Sequence, residues 1–288
     1  MITKNPMQLK AFIKKKASEK NISAQLVMQN YMLERLLERI TLSKYKSNFI
    51  LKGGFLIAAI VGLDSRATMD LDTTIKGLIL THESIREIFT DICAINVEDD
   101  VAFLIVRIDD IRETDDYPGI RVSLLAAYPP LNVPITVDVT TGDIITPREI
   151  DYNFKLMFDD RSVCIPAYNL ETILSEKLET VLSRNIANTR PRDFYDIYIL
   201  YSMRGQDCKL NILKNALEGT AKKRGSIDIL PQYEDIIDTV RNSSTMQNFW
   251  IRYQKNFHYS KNITFDDACD MILEIMRSIM QYDIADGQ

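Results

Sequence analysis

Histidine is nearly missing from this chain: 288 residues hold two, His82 and His258. Neither stands beside a cysteine or carboxylate motif, which argues against a His-based zinc site and against a Ser-His-Asp triad. Base chemistry must then come from carboxylates, lysine or a metal. Cysteine is sparse as well. Cys93, Cys164, Cys208 and Cys269 are scattered, with neither metal-ligand spacing nor a disulfide framework, so reduced thiols in a cytoplasm are expected. No uninterrupted apolar run is long enough to span a bilayer and no signal peptide is visible, so no membrane role is expected. A net charge of −5 argues against nucleic-acid binding through global charge, while leaving room for a local basic groove. The sequence shows no repeat and no low-complexity tract.

What is present is an ordinary soluble composition, 46% hydrophobic and 26% charged, in a chain long enough for two cores. Its most informative stretch runs from Phe49 to Asp72. Phe49-Ile50-Leu51 reads as a buried strand, and Lys52-Gly53-Gly54 stops it with glycines that permit positive φ and close backbone approach. Phe55 to Val61 then reads as a helix that Gly62 can close. A strand, a Gly-Gly turn and a helix N-terminus aim free N–H groups at one point, an arrangement that favours a phosphate.

After a loop carrying Arg66, Met69 to Ile75 alternates like a strand, placing Asp70 and Asp72 on one face. Two such carboxylates at ~4 Å repel by about 4 kcal/mol at an effective dielectric near 20. A hard divalent cation, Mg²⁺ above all, suits that pair. In the strand expected over Val133 to Thr140, Ile135, Val137 and Val139 share one face. Asp138 lies on the other, either as a solvated edge residue or as a third metal ligand.

The flanks are read more briefly. Met7 to Ala17 and Ala24 to Ile40 have helical spacing, with Ser23 as N-cap; Lys14-Lys15-Lys16 reads as a solvated helix face. His82 to Ile92 is a helix candidate, and Val101 to Ile108 and Ile120 to Ala127 are strand candidates. Pro118-Gly119 and Tyr128-Pro129-Pro130 mark turns. From about Thr146 the periodicity turns helical: Pro166 to Arg184, a helix opening at Pro191, Leu210 to Leu217, Tyr233 to Arg241, Met246 to Phe257 and Phe265 to Met280. Lys222-Lys223-Arg224-Gly225 is expected as a basic loop, and Tyr282 to Gln288 is expected to fray. Lys177 and Arg184, two turns apart, share a side. With Arg190, Arg192, Asp193 and Asp196 they read, taken alone, as an intrahelical ion-pair network.

Lys52-Gly53-Gly54-Phe55, Arg66-Ala67-Thr68-Met69-Asp70-Leu71-Asp72, Lys177 to Arg184 and Arg192-Asp193-Phe194-Tyr195-Asp196, in that order and spacing, resemble the AbiEii/AbiGii toxin family of the nucleotidyltransferase superfamily. The match runs from Phe49 to about Leu200. One departure stands out: the superfamily usually has Gly-Ser where this chain has Gly53-Gly54.

The resemblance implies an α+β (mixed α/β) chain. A minimal nucleotidyltransferase fold, with a mixed sheet flanked by helices, would occupy residues 1–145, and a helical domain residues 146–288. It implies a Mg²⁺-dependent transfer of NMP from an NTP, GTP-linked or pyrimidine, to an RNA acceptor such as the tRNA 3′ end. Within it, Asp70, Asp72, Lys177 and either Asp193 or Asp196 are catalytic. Lys52, Gly53, Gly54, Arg66, Thr68 and Arg184 bind nucleotide, and Asp70, Asp72 and Asp138 bind metal. The biological role implied is a bacteriostatic toxin of a type IV toxin–antitoxin, phage abortive-infection system, with an antitoxin encoded nearby that need not touch it. An impaired NTP-binding protein, or transfer to a protein acceptor, is the alternative.

Overall fold

The structure, a computed structural model, describes residues 5–111 and 119–285. Pro118 of the expected 118–119 turn and residues 286–288 of the expected fraying end lie outside them. The first half reads α1 Pro6–Lys20, α2 Ala24–Leu42, β1 Phe49–Lys52, α3 Gly53–Val61, β2 Asp70–Ile75 and α4 His82–Cys93. It continues β3 Ala102–Asp110, β4 Gly119–Tyr128, β5 Leu131–Thr141, β6 Ile150–Lys155 and β7 Ser162–Ala167. Then come α5 Leu170–Arg184, α6 Pro191–Arg204, α7 Leu210–Arg224, α8 Tyr233–Asn242, α9 Ser244–Asn256 and α10 Phe265–Ala285. The chain is mixed α/β and divides into two units, Met1–Asp143 with Ile150–Ala167, and Ile144–Glu149 with Tyr168–Gln288.

The first unit is built on a seven-stranded mixed sheet, ordered β3-β4-β5-β2-β1-β7-β6. β1 runs antiparallel to β2, and β2 parallel to β5, so the strand bearing Asp70 and Asp72 is interior. The period-two pattern sorts each strand's faces. Leu71, Val137 and Val122 stand opposite one another and are buried, as a core face needs. α2 packs on β5, and α4 on β3. Phe49 of β1 meets Phe89 of α4 edge-on, with ring centroids 6.0 Å apart. As Ser23 suggests in sequence, its hydroxyl accepts the Leu26 N–H at 3.1 Å and caps α2.

Two expected segments come out differently. Residues 150–167, placed by the sequence pattern in the helical half, form the β6–β7 hairpin, which joins the sheet beside β1. The reason is local. Phe154 is buried between exposed Asn153 and Lys155, a strand alternation too short to outweigh the helical signal after it. Pro166 therefore belongs to β7, and α5 starts only where the Asn169 side chain accepts the Thr172 N–H at 2.8 Å. The hairpin is also tied to α2: Glu38 accepts from Arg161 Nη1 at 2.7 Å, and Glu34 from the Met157 N–H at 2.6 Å. Lys222-Lys223-Arg224 is likewise no loop. It is the last turn of α7, where cations meet the negative end of the helix dipole, closed by Gly225 at φ +68°.

The second unit is helical. Ile173, Leu174, Leu178, Val181 and Leu182 of α5 are buried, as are Phe194, Ile197 and Leu200 of α6. Tyr195, Trp250, Tyr253, Tyr259 and Phe265 form an aromatic cluster around α6, α9 and the start of α10. The Trp250 indole N–H donates to the Ile263 carbonyl at 3.0 Å, so its one polar group is satisfied.

Candidate active site

Ladder register makes a row of charge on the sheet face opposite the core. Lys52 of β1 stands across from Asp72 of β2, Asp72 from Asp138 of β5, Asp138 from Arg121 of β4, and Arg121 from Asp109 of β3. Asp70 lies two residues along β2 from Asp72, on the same face. Five strands thus present cation and carboxylate side chains in one line, and none of these positions is apolar.

The Gly-Gly turn is shaped around Asp72. Gly53 sits at φ +62°, and a Cβ there would lie 2.2 Å from Asp72 Oδ2, so only glycine fits by both backbone and space. The Gly54 N–H donates to Asp72 Oδ2 at 2.9 Å. The carboxylate thereby takes one of the free N–H groups at the start of α3, and the positive helix end favours its charge. At Gly54 a Cβ would meet Thr68 Oγ1 at 2.9 Å and Arg66 Nη2 at 3.3 Å. The space that a serine would use, in the superfamily's Gly-Ser pattern, is filled here by the Thr68 hydroxyl.

The remaining sheet-unit candidates are held in specific pairs. Lys52 Nζ donates to Asp143 Oδ2 at 2.6 Å, and Thr140 Oγ1 donates to the same oxygen at 3.0 Å. Arg66 is buried and donates to the Ala67 carbonyl. The Thr68 carbonyl accepts from Asn30 Nδ2 at 2.7 Å, which anchors that loop to α2. Asp138 accepts two hydrogen bonds from Arg121, Nε at 2.8 Å and Nη2 at 2.7 Å, a bidentate fork. Against the cost of partial burial, those bonds and then the charges of Asp138, Asp70 and Asp72 hold the guanidinium above its ordinary pKa.

This bears on the metal. Asp70 and Asp72 are half-buried carboxylates on one strand face, a hard-oxygen pair whose chemistry fits Mg²⁺. Asp138 is drawn to Arg121 through both oxygens. Among the described residues no three carboxylate, histidine or thiol groups are gathered as a metal cage. The fit therefore rests on the β2 pair.

In the helical unit, Lys177 of α5 bridges to α6: Nζ lies 2.5 Å from Asp193 Oδ1 and 3.0 Å from Asp196 Oδ2. The Lys177 side chain is 19% exposed and the aspartates 4% and 0%. Both aspartates hold the lysine, and the link is between helices rather than within one. Pro191 occupies the first turn of α6, and the Asp193 N–H closes on the Arg190 carbonyl at 3.0 Å. Arg184, in the last turn of α5, is half-buried, and Arg192 is exposed.

Sequence reading passed over Arg121 and Asp143. Arg121 carried no motif; its signal was its place in an alternating strand that faces Asp138. Asp143 stands just beyond the strand expected over Val133 to Thr140 and carried no motif.

A family model described as nucleotidyl transferase AbiEii toxin, type IV TA system, matches residues 35–270. No curated protein matches the chain. Among solved structures, the chain is similar to JHP933 from Helicobacter pylori at 13% identity and a TM-score of 0.48, over 91% of this chain and 97% of that one. It is also similar to an antigenic nucleotidyltransferase-like protein from Paracoccidioides brasiliensis at 14% identity and a TM-score of 0.37, over 69% and 90%.

Proposed function

This chain belongs to the AbiEii nucleotidyltransferase toxin family of type IV toxin–antitoxin systems, and we propose that it transfers a nucleoside monophosphate from an NTP to an RNA acceptor, the tRNA 3′ end foremost, releasing pyrophosphate. The observation that carries this reading is the positive-φ Gly53 and the Gly54 N–H closing on Asp72, with Asp70 beside it on β2. Asp70 and Asp72 would hold Mg²⁺. Bound there, the ion supplies charge neutralisation on the phosphates and a more acidic acceptor hydroxyl.

The chain's own residues do the rest. The start of α3 and the Thr68 hydroxyl offer donors to phosphate oxygens. Arg66, buried over Gly54, and Lys52 add positive charge beside that turn. Lys177 is assigned as a cation for the charge that grows on the phosphates, poised by Asp193 and Asp196. Arg184 is assigned to the nucleotide as well. Attack by the acceptor hydroxyl in line with the departing pyrophosphate follows as for other phosphoryl transfers.

Among the described residues no helix is long and apolar enough to cross a membrane. A cytoplasmic, bacteriostatic toxin, opposed by an antitoxin that does not bind it, fits this reading. A second reading is favoured by the Arg121–Asp138 fork, which occupies the third carboxylate: an NTP-binding protein with little transfer activity.

The test is label transfer from each α-labelled NTP to total tRNA with Mg²⁺, run beside Asp72→Ala. RNA label that disappears in the variant supports transfer and names the nucleotide. NTP stabilisation without label, from folded protein that still halts growth, favours the second reading. Label on protein instead of RNA moves the acceptor.

A further inference from the structure

Away from the carboxylate row, the first unit contains a cavity of about 200 Å³ between α1, α2, the end of α3 and the β6–β7 hairpin. Its apolar lining includes Phe55, Ala58, Leu63 and Phe154. Phe55 and Phe154 stack on one another within 3° of parallel, with centroids 5.3 Å apart, and so give the lining an aromatic patch. Around it stand three lysines, Lys16 and Lys20 from α1 and Lys155 from β6. Lys16 and Lys20 are one turn apart, so they share a helix face. Lys20 pairs with Asp64 at 2.5 Å, whereas Lys16 and Lys155 have no ion-pair partner among the described residues. Glu34, the one acid in the lining, is already satisfied by Arg35 and by the Met157 N–H.

An apolar, partly aromatic lining beside two uncompensated ammonium groups is complementary to one kind of molecule: a single aromatic ring system with an anionic head. The volume lies below the roughly 300–1,000 Å³ of sites that engulf drug-sized ligands, so one ring fills it and the charged end stays at the lysines. We propose that this cavity is a second, non-catalytic site for a nucleoside 5′-monophosphate, base against the apolar wall and phosphate at Lys16 and Lys155. The cavity also touches the loop that carries Arg66 and Thr68. Asn30, in its lining, donates to the Thr68 carbonyl at 2.7 Å, and Lys20 holds Asp64 in the same loop. An occupant is therefore in contact with residues that position that loop.

The proposal does not depend on transfer taking place, and its test needs none. Titration calorimetry of the full chain in EDTA, with AMP, GMP, CMP and UMP in turn, reads binding with the metal removed. Saturable binding is expected for at least one of them. Combined Lys16→Glu and Lys155→Glu, at a half-buried and an exposed position, should weaken it at least tenfold, and Ala59→Phe, which fills the cavity, should abolish it. Asp72→Ala should leave the Kd within twofold. Thermal melts check that each variant folds; if Ala59→Phe does not, the lysine variant decides alone. No binding of any of the four, binding untouched by the lysine changes, or binding lost in Asp72→Ala would each overturn the proposal.

Discussion

The two units place like charges together in opposite ways. On the sheet, Asp70 and Asp72 are half-buried, and Asp138 is matched by Arg121, whose side chain is 46% exposed. Between α5 and α6, Asp193 and Asp196 are buried almost completely, and Lys177 bridges the two. A carboxylate near water costs little to leave unpaired, while a buried one costs several kcal/mol. The half-buried acids of the sheet therefore lean less on a fixed cation, and the buried ones of the helical unit lean more on Lys177. Residues that look equivalent in a motif differ, in this way, in what their loss does.

Lys177→Ala is the largest expected effect. It removes the ammonium that bridges two buried aspartates, at a cost of about 3–5 kcal/mol. The melting temperature should fall by many degrees, and any transfer activity should vanish with it. Lys177→Arg keeps the charge and should recover most of the stability. If Lys177→Ala melts within two degrees of the parent, the lysine is not the structural keystone of that interface and the contrast collapses.

Asp72→Ala should behave oppositely. Loss of the Gly54 contact costs about 1 kcal/mol, as for a helix cap, and relief of repulsion from Asp70 offsets part of it. Transfer to RNA should fall by roughly 10²–10³-fold or more. Gly53→Ala should combine the two effects. Its Cβ cannot coexist with Asp72 where that carboxylate now lies, and its φ costs a further 1–2 kcal/mol or so. Activity assays beside melting curves separate the two behaviours. An inactive Gly53→Ala of parental stability would mean that the turn rearranges freely.

Local patterns explain how much of this could be read in advance. The placement of Asp70 and Asp72 on one strand face beside the turn was legible because strand period and a Gly-Gly turn are properties of adjacent residues. The boundaries of α2, α4, β4 and β5 were legible within a few residues for the same reason. Arg121 was not, because its role depends on which strand lies beside β5, and register across a sheet leaves no local mark. β6 and β7 were missed because six-residue strands give too few alternations against a strong helical run. Nor did periodicity reveal that Glu34, Arg35, Glu38 and Arg39 of α2 are all buried. Their partners, Asp99 and the β6–β7 hairpin, are about sixty and more than a hundred residues away.

Arg121→Ala sharpens the sheet side of the comparison with a smaller effect. The guanidinium is a resident cation beside the pair proposed for Mg²⁺, so removing it lifts a competing positive charge. Stability should drop by no more than about 1 kcal/mol, as for an exposed ion pair. The Mg²⁺ concentration needed for half-maximal stabilisation by NTP should fall by roughly tenfold, ~1.4 kcal/mol of relieved repulsion. A rise in that concentration would instead place Arg121 among the groups that hold the phosphates.

A pH-dependent effect concerns the buried charges of α2, which make the first unit resemble the second. Burial pushes the Glu34 carboxyl up from its ordinary value near 4.5 to about 6, although Arg35 and the Met157 N–H pull it down. A raised carboxyl binds its proton more tightly folded than unfolded. Its contribution is therefore fully present below pH 4.5 and is lost as the pH climbs from 4.5 through 6. The loss amounts to about 2 kcal/mol. Glu34→Gln has no proton to lose, so the stability difference, parent minus variant, should decline across pH 4.5–6 and level off above it. Denaturant titrations of both proteins at half-unit steps of pH measure that difference directly. A flat difference would show that Arg35 keeps Glu34 ionised throughout. The α2 cluster would then be a closed ion network like that of Lys177, and burial, not membership of one unit or the other, would be what sorts the charges of this protein.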